Sequence, residues 1–181
     1  MSVDTRLTYD DYCLLPDDGK RYEIIDGELF VTPSPRILHQ IVVSQLTSEL
    51  LTYTKREGLG RVLVAPVDVV FSEFDVVEPD IVYVSKQRTS VMTEKNLQGA
   101  PDLAIEVLSE STEKRDRTFK LKLYGKFDVE EYWIIDPYGP SAEIYRRGEE
   151  GLTLVARLSA TDVLTSPMFP GFSLPLSRLT E

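Results

Sequence analysis

The sequence predicts an α/β fold in which a mixed central β-sheet is flanked by helices, with added hairpins. Three observations carry this. The run Leu103-Ala104-Ile105-Glu106-Val107-Leu108 is apolar but for one glutamate and lies between Pro101-Asp102 and Ser109, which marks a short strand covered on both faces. Ile37 to Glu57 carries an apolar stripe at helical spacing and stops at Gly58-Leu59-Gly60. The segments follow one another as helix, hairpin, helix, three extended stretches, helix and further strands, unlike the strict alternation of a doubly wound sheet.

Taken in order, Thr8-Tyr9-Asp10-Asp11 opens a short helix with a capping-box-like pattern, an acid standing at the third position, and Pro16-Asp17-Asp18-Gly19 ends it. Arg21 to Thr32 reads as a hairpin turning at Asp26-Gly27. Pro33-Ser34-Pro35 launches the long helix, whose stripe is Leu38, Ile41, Val42, Leu46, Leu50 and Tyr53. Arg61 to Phe71 and Val76 to Val84 are extended, and a loop from Gln87 to Gly99 leads into the Glu106 strand. Ser111 or Thr112 caps a helix running to about Phe127, and Glu131 to Asp136 is a strand closed by Pro137. Ala142 to Arg147 and Leu152 to Leu158 pair across Gly148-Glu149-Glu150-Gly151, and Ser166 to Leu176 forms an ordered but irregular strap.

The length of 181 residues fits one domain spanning residues 1–181, large enough to bury a core without disulfides. A single cysteine, Cys13, excludes a disulfide framework and points to a reducing cytoplasm. The first residues, Met-Ser-Val-Asp-Thr-Arg, hold no apolar signal region, and no run is long enough to span a bilayer. The net charge of −10 argues against a general nucleic-acid coat but leaves room for a local basic patch. Such a patch exists: Lys114, Arg115, Arg117, Lys120, Lys122 and Lys126 surround the single acid Asp116, so the segment carries +5 and the rest of the chain −15. The plain alternative is a solvated helix face.

The chemistry centres on Glu106. A carboxylate in a strand covered on both faces needs a cation, a metal ion or a second carboxylate sharing that ion. At about 100° per residue, Phe119, Leu123, Tyr124 and Phe127 occupy one arc of the following helix, and both Lys120 and Asp116 fall inside it while Lys122 and Lys126 fall outside. Lys120 is therefore aimed at the region of Glu106. Asp80, after Glu78-Pro79, supplies a second carboxylate. Two carboxylates and an ammonium suit hydrolysis of a phosphodiester assisted by Mg²⁺ or Mn²⁺, with the metal activating water and the lysine stabilising charge. Alternatively, Asp80 closes a turn and Glu106 with Lys120 forms a buried ion pair, although such pairs contribute weakly to stability. His39, the only histidine, falls on the inner arc of the long helix and is either a satisfied core residue or an accessory to the metal or phosphate. Glu23 lies on a half-buried strand and faces either the site or solvent. Asp68 is ambiguous, sharing strand parity with Val62, Val64 and Val70.

Pro79-Asp80, then Asp102-Leu-Ala-Ile-Glu106-Val-Leu-Ser109, Asp116-x-x-x-Lys120-x-x-x-Tyr124 and Glu131-Tyr-Trp-Ile-Ile-Asp136-Pro137 together resemble the Uma-type restriction endonucleases of the PD-(D/E)xK nuclease superfamily. Tyr22-Glu-Ile-Ile-Asp-Gly-Glu-Leu29 and His39 after Pro33-Ser34-Pro35 are similar to that family's opening, and the resemblance spans Thr8 to Leu176. It implies a restriction-endonuclease-like core with Asp80 and Glu106 as metal ligands and the Val107 carbonyl as a third. The superfamily's usual lysine position is Leu108 here, and the resemblance moves that role to Lys120. Glu110 stands where the family tends to have proline, and Asp128 where it tends to have glycine.

The expected function is a Mg²⁺- or Mn²⁺-dependent endonuclease acting on DNA. Asp80, Glu106 and Lys120 are its catalytic set, and Asp116, Glu23 and His39 are accessory. Lys114, Arg115, Arg117, Lys122 and Lys126 would bind nucleic acid, and a homodimer would supply two cutting centres. The alternative is a catalytically silent module that binds nucleic acid or a protein. A two-carboxylate glycosidase is weaker because it leaves Lys120 without a role.

Overall fold

The computed structural model describes residues 6–181, so the N-terminal stretch noted above for lacking an apolar run lies mostly outside the described residues. α1 (Tyr9–Tyr12) is capped reciprocally, Asp11 N–H donating to the Thr8 hydroxyl while the Asp11 carboxylate accepts from Thr8 N–H. β1 (Arg21–Ile25) and β2 (Glu28–Thr32) form the expected hairpin. Its two turn residues, Asp26 at φ 52° and Gly27 at φ 77°, are both left-handed, as a tight hairpin requires.

α2 (Ile37–Glu57) ends at Gly58, whose φ of 65° makes the left-handed cap. Its buried face is rotated from the expected stripe. His39 and Val43 are buried with Val42, Leu46, Leu50 and Tyr53, whereas Ile41 is 41% exposed. His39 is buried as its place on the inner arc implied, and its ring meets Asp80.

Two stretches expected to be single strands are each divided. Residues 61–71 break at Pro66, giving β3 (Gly60–Val64) and β4 (Val69–Ser72). Residues 76–84 break at Pro79, giving β5 (Asp75–Val77) and β6 (Ile81–Ser85). Proline has no N–H to continue a ladder, and at both breaks the chain passes from one sheet to the other. β7 (Leu97–Gln98) and β8 (Leu103–Val107) follow.

The helix expected after β8 is one continuous rod of three parts: α3 (Glu113–Arg115), a π-helical turn (Asp116–Lys120) and α4 (Leu121–Lys126). β9 (Glu131–Asp136), β10 (Ser141–Gly148) and β11 (Gly151–Leu158) complete the larger sheet. In the strap, β12 (Val163–Leu164) pairs with β13 (Leu174–Pro175), and Phe169, Phe172, Leu174 and Leu176 are buried.

The central mixed sheet has six strands in the order β11-β10-β9-β8-β6-β3, with only β8 and β9 parallel. A second sheet of five strands, β2-β1-β5-β4-β7, takes in the N-terminal hairpin. Strand alternation divides the core. Ile81, Tyr83, Leu103, Ile105, Val107, Trp133 and Ile135 meet α2 and the strap on one face. Val82, Val84, Ala104, Tyr132 and Ile134 meet α4 and the second sheet on the other. Glu106, between Ile105 and Val107, therefore points to the α4 side. Among the described residues no helix is long and apolar enough to cross a membrane.

Candidate active site

Glu106 and Lys120 meet as the helix pattern predicts. Lys120, only 1% exposed, places Nζ 2.7 Å from Glu106 Oε1 and 2.7 Å from Glu23 Oε1, with Asp116 Oδ1 at 3.9 Å. The Tyr124 hydroxyl donates to the same Glu106 oxygen at 2.8 Å. The π turn brings Arg115 to the same face. On a regular helix Arg115 and Lys120 would point about 140° apart, but an i to i+5 turn stacks them on one face. Arg115 is thus turned inward, its Nη2 3.3 Å from Glu23 Oε2. The same adjustment turns Phe119 out of the expected core arc: it is 43% exposed and rests against Phe30.

Asp80 is held from three sides. Arg21 Nη1 donates to Oδ1 at 2.9 Å, while His39 Nε2 at 3.1 Å and the Val107 N–H at 2.9 Å both meet Oδ2. An ionised carboxylate only accepts, so His39 carries its proton on Nε2. Nδ1 is buried and has no hydrogen-bond partner among the described residues. Arg21 also binds the Glu78 carbonyl and carboxylate, tying the turn before Asp80 to β1.

These surroundings pull the two carboxyl groups apart. Burial would raise Asp80, but the His39 bond, the Arg21 charge and the Val107 amide outweigh it and hold it at about 2. Burial raises Glu106 to about 8, with Asp116, Asp80 and Glu23 adding to it against the pull of Lys120. Burial would lower Lys120, yet Glu106, Glu23 and Asp116 keep it charged.

The groups line the base and walls of an open cleft of about 370 Å³, to which Arg21, Arg36, His39, Asp80, Glu106, Ser109, Glu110, Ser111, Thr112, Arg115 and Lys120 contribute. Among the described residues no three His, Cys, Asp or Glu side chains are gathered as a ready metal cage. The charges nonetheless fit a divalent cation. Five carboxyl groups, those of Glu23, Glu78, Asp80, Glu106 and Asp116, stand against three permanent cations, Arg21, Arg115 and Lys120, and Glu106, raised to about 8, would give up its proton to a bound metal. Hard Mg²⁺ needs only one or two protein carboxylates and keeps several waters.

Asp80, Glu106, Lys120, Asp116, Glu23, His39 and Arg115 thus gather in one place, and Val107 joins them through its amide. The other basic residues do not. Arg117 pairs with Glu113 and Glu143, and Lys126 with Asp75. Lys122 lies outside the cleft and lines a separate surface depression with Asp26, Glu28 and Asp75. Asp68 accepts the Tyr12 hydroxyl at 2.8 Å and takes no part. Sequence patterns missed Arg21, although it stands two residues before Glu23 and so shares its strand face. They also missed the Ser109 to Thr112 turn, which carries no periodic signal.

The Uma2 family, described as "Putative restriction endonuclease", matches the chain over residues 9–177. A crystal structure of "a putative nuclease belonging to DUF820" from Anabaena variabilis has the same fold, with a TM-score of 0.80 at 21% identity over 96% of this chain and 97% of that one. No curated protein sequence matches the chain.

Proposed function

The chain belongs to the Uma2 family, and from that premise we propose that it is a Mg²⁺- or Mn²⁺-dependent endonuclease hydrolysing phosphodiester bonds of DNA. One observation carries the proposal: Lys120 reaches Glu106 at 2.7 Å in a cleft that Asp80 also lines. Asp80 and Glu106, with the Val107 carbonyl, would hold the metal. When bound, it lowers the pKa of water and polarises the phosphoryl oxygen.

The chain's own residues do the rest. His39 and the Val107 amide fix the Asp80 carboxylate in place. Asp116 and Glu23 hold the Lys120 ammonium at the cleft base, where it can donate to the attacking water or to a phosphate oxygen gaining charge. Water oxygen bonds to phosphorus, the bond to the sugar oxygen breaks, and that oxygen takes a proton, leaving a phosphate monoester and a hydroxyl. One centre cuts one strand, so a double-strand break requires two copies or two encounters.

Plasmid nicking tests this. Cleavage is expected with Mn²⁺ or Mg²⁺, none with EDTA, and none from Asp80→Ala. Equal cleavage by Asp80→Ala would trace the activity to a contaminant. Binding without cleavage of plasmid, single-stranded DNA or RNA would establish the silent binding module instead.

A further inference from the structure

The turn between β8 and α3 gathers hydroxyl and amide groups at the cleft. Ser109 O accepts from the N–H groups of Thr112 at 3.1 Å and Glu113 at 3.0 Å, which curls the chain. The curl gathers three hydroxyls, with Ser109 Oγ 3.2 Å from Ser111 Oγ and 3.0 Å from Thr112 Oγ1. Among the described residues the N–H groups of Glu110 and Ser111 make no hydrogen bond. All of this lines the cleft, at the positive end of the helical rod over 113–126.

A second, independent feature points the same way. Arg115 is 9% exposed and lines the same cleft. Its Nη2 donates to Thr32 Oγ1 at 2.7 Å and meets Glu23 at 3.3 Å. Nε is buried without a hydrogen-bond partner, 4.0 Å from Asp116 Oδ1, and Nη1 has none among the described residues. Buried donors left unused are costly, and a planar guanidinium matches phosphate oxygens. The acidic Glu110 at the rim is turned to Arg36, at 2.7 Å.

We propose that the Ser109–Thr112 turn and the Arg115 guanidinium form a phosphate-binding subsite that grips a backbone phosphate of the nucleic-acid substrate beside the Asp80–Glu106 centre. The inference rests on the nuclease reading and adds where the substrate is held. The donors are hydroxyls, amides and a guanidinium, so the ligand is an anion. The cleft is shared with Lys120, so the anion is one that also reaches the reacting centre.

Fluorescence anisotropy of a short labelled DNA duplex in EDTA tests the subsite without any metal chemistry. The primary variant is Ser109→Ala/Ser111→Ala, which removes donors but no charge. Its affinity should fall about tenfold, the scale of one hydrogen bond to a charged group, with the salt slope unchanged. Arg115→Lys, which keeps Glu23 paired to a cation, should also lose affinity, because the planar fork is gone. Thermal melts confirm that the variants are folded. Unchanged affinity in the serine variant overturns the subsite, as does a wild type that binds no duplex at low salt. Inorganic phosphate that binds tightly where the duplex does not would make this a free-anion site and overturn the backbone assignment. The nuclease reading fails on a different result, Asp80→Ala cutting as wild type does.

Discussion

Lys120 and Lys122 are two residues apart and have opposite environments. Lys122→Ala is expected to change cleavage little and stability by less than about 0.5 kcal/mol, as at an ordinary surface site. A buried ammonium is costly, but Lys120 bonds Glu106 and Glu23 and faces Asp116, and its loss would leave that cluster short of a cation. Lys120→Met should therefore cost about 3–5 kcal/mol, as when one partner of a buried pair is removed, and slow cleavage about a hundredfold or more. Urea melts and plasmid nicking measure the two effects. A fully active variant would remove Lys120 from the mechanism.

Glu106 also gives the protein a pH dependence of definite sign. Its folded value of about 8 lies above the unfolded value of about 4.3. Between those limits the folded state holds more protons than the unfolded state, so in EDTA stability should fall as pH rises through that window. Glu106→Gln should flatten the slope of melting temperature from about pH 5 to 8. Asp80 has the opposite sign. Held at about 2, below its unfolded value of about 3.9, it contributes stability above that value that is lost as pH falls towards 2. Asp80→Asn should therefore weaken the acid limb alone.

At the scale of the element, the π turn is what joins the two halves of the charge cluster. It adds Arg115 to the face that Asp116, Lys120, Leu123 and Tyr124 bury against the sheet. Thr118 is exposed in the middle of that turn, its hydroxyl donating to Lys114 O. Deleting it would restore regular helix with Arg115 and Lys120 four positions apart, about 40° from one another and still on one face. Helix content by circular dichroism should hardly change and cleavage should be kept. Lost cleavage would show that the site needs the π turn itself and not only the shared facing of Arg115 and Lys120.

Across the whole molecule, the −10 charge repels nucleic acid except where basic groups are left free by acidic neighbours or gathered in the cleft. The basic segment from Lys114 to Lys126 is not one surface. Arg115 and Lys120 point inward, Arg117 and Lys126 are ion-paired, and among the described residues Lys114 and Lys122 form no ion pair. Arg36, on the rim of the cleft and paired among the described residues only with the exposed Glu110, would stand nearer a phosphate bound in the cleft than Lys122 does. Arg36→Ala should lower duplex affinity and reduce the slope of log K against log salt by about one, and Lys122→Ala should do neither. Equal effects would return the contact surface to the outer helix face.

What the sequence determined by itself is whatever depends on repeats within one element. The lone glutamate in the apolar run of β8 and the period of 3.6 in the following helix were enough to bring Glu106, Asp116 and Lys120 together, and short-range turn and cap chemistry located the hairpin at Asp26-Gly27 and the end of α2 at Gly58. Three matters were left to tertiary structure. The chain crosses between two sheets at Pro66 and Pro79. His39, already on the inner arc of its helix, finds its partner in an aspartate 41 positions away, and Arg21 closes on Asp80 across 59 positions. The physical reason is the same for all three. A residue's periodicity records which side of its own element is buried, but the partner that satisfies a buried charge is chosen by how separate elements are stacked, and no local pattern contains that distance.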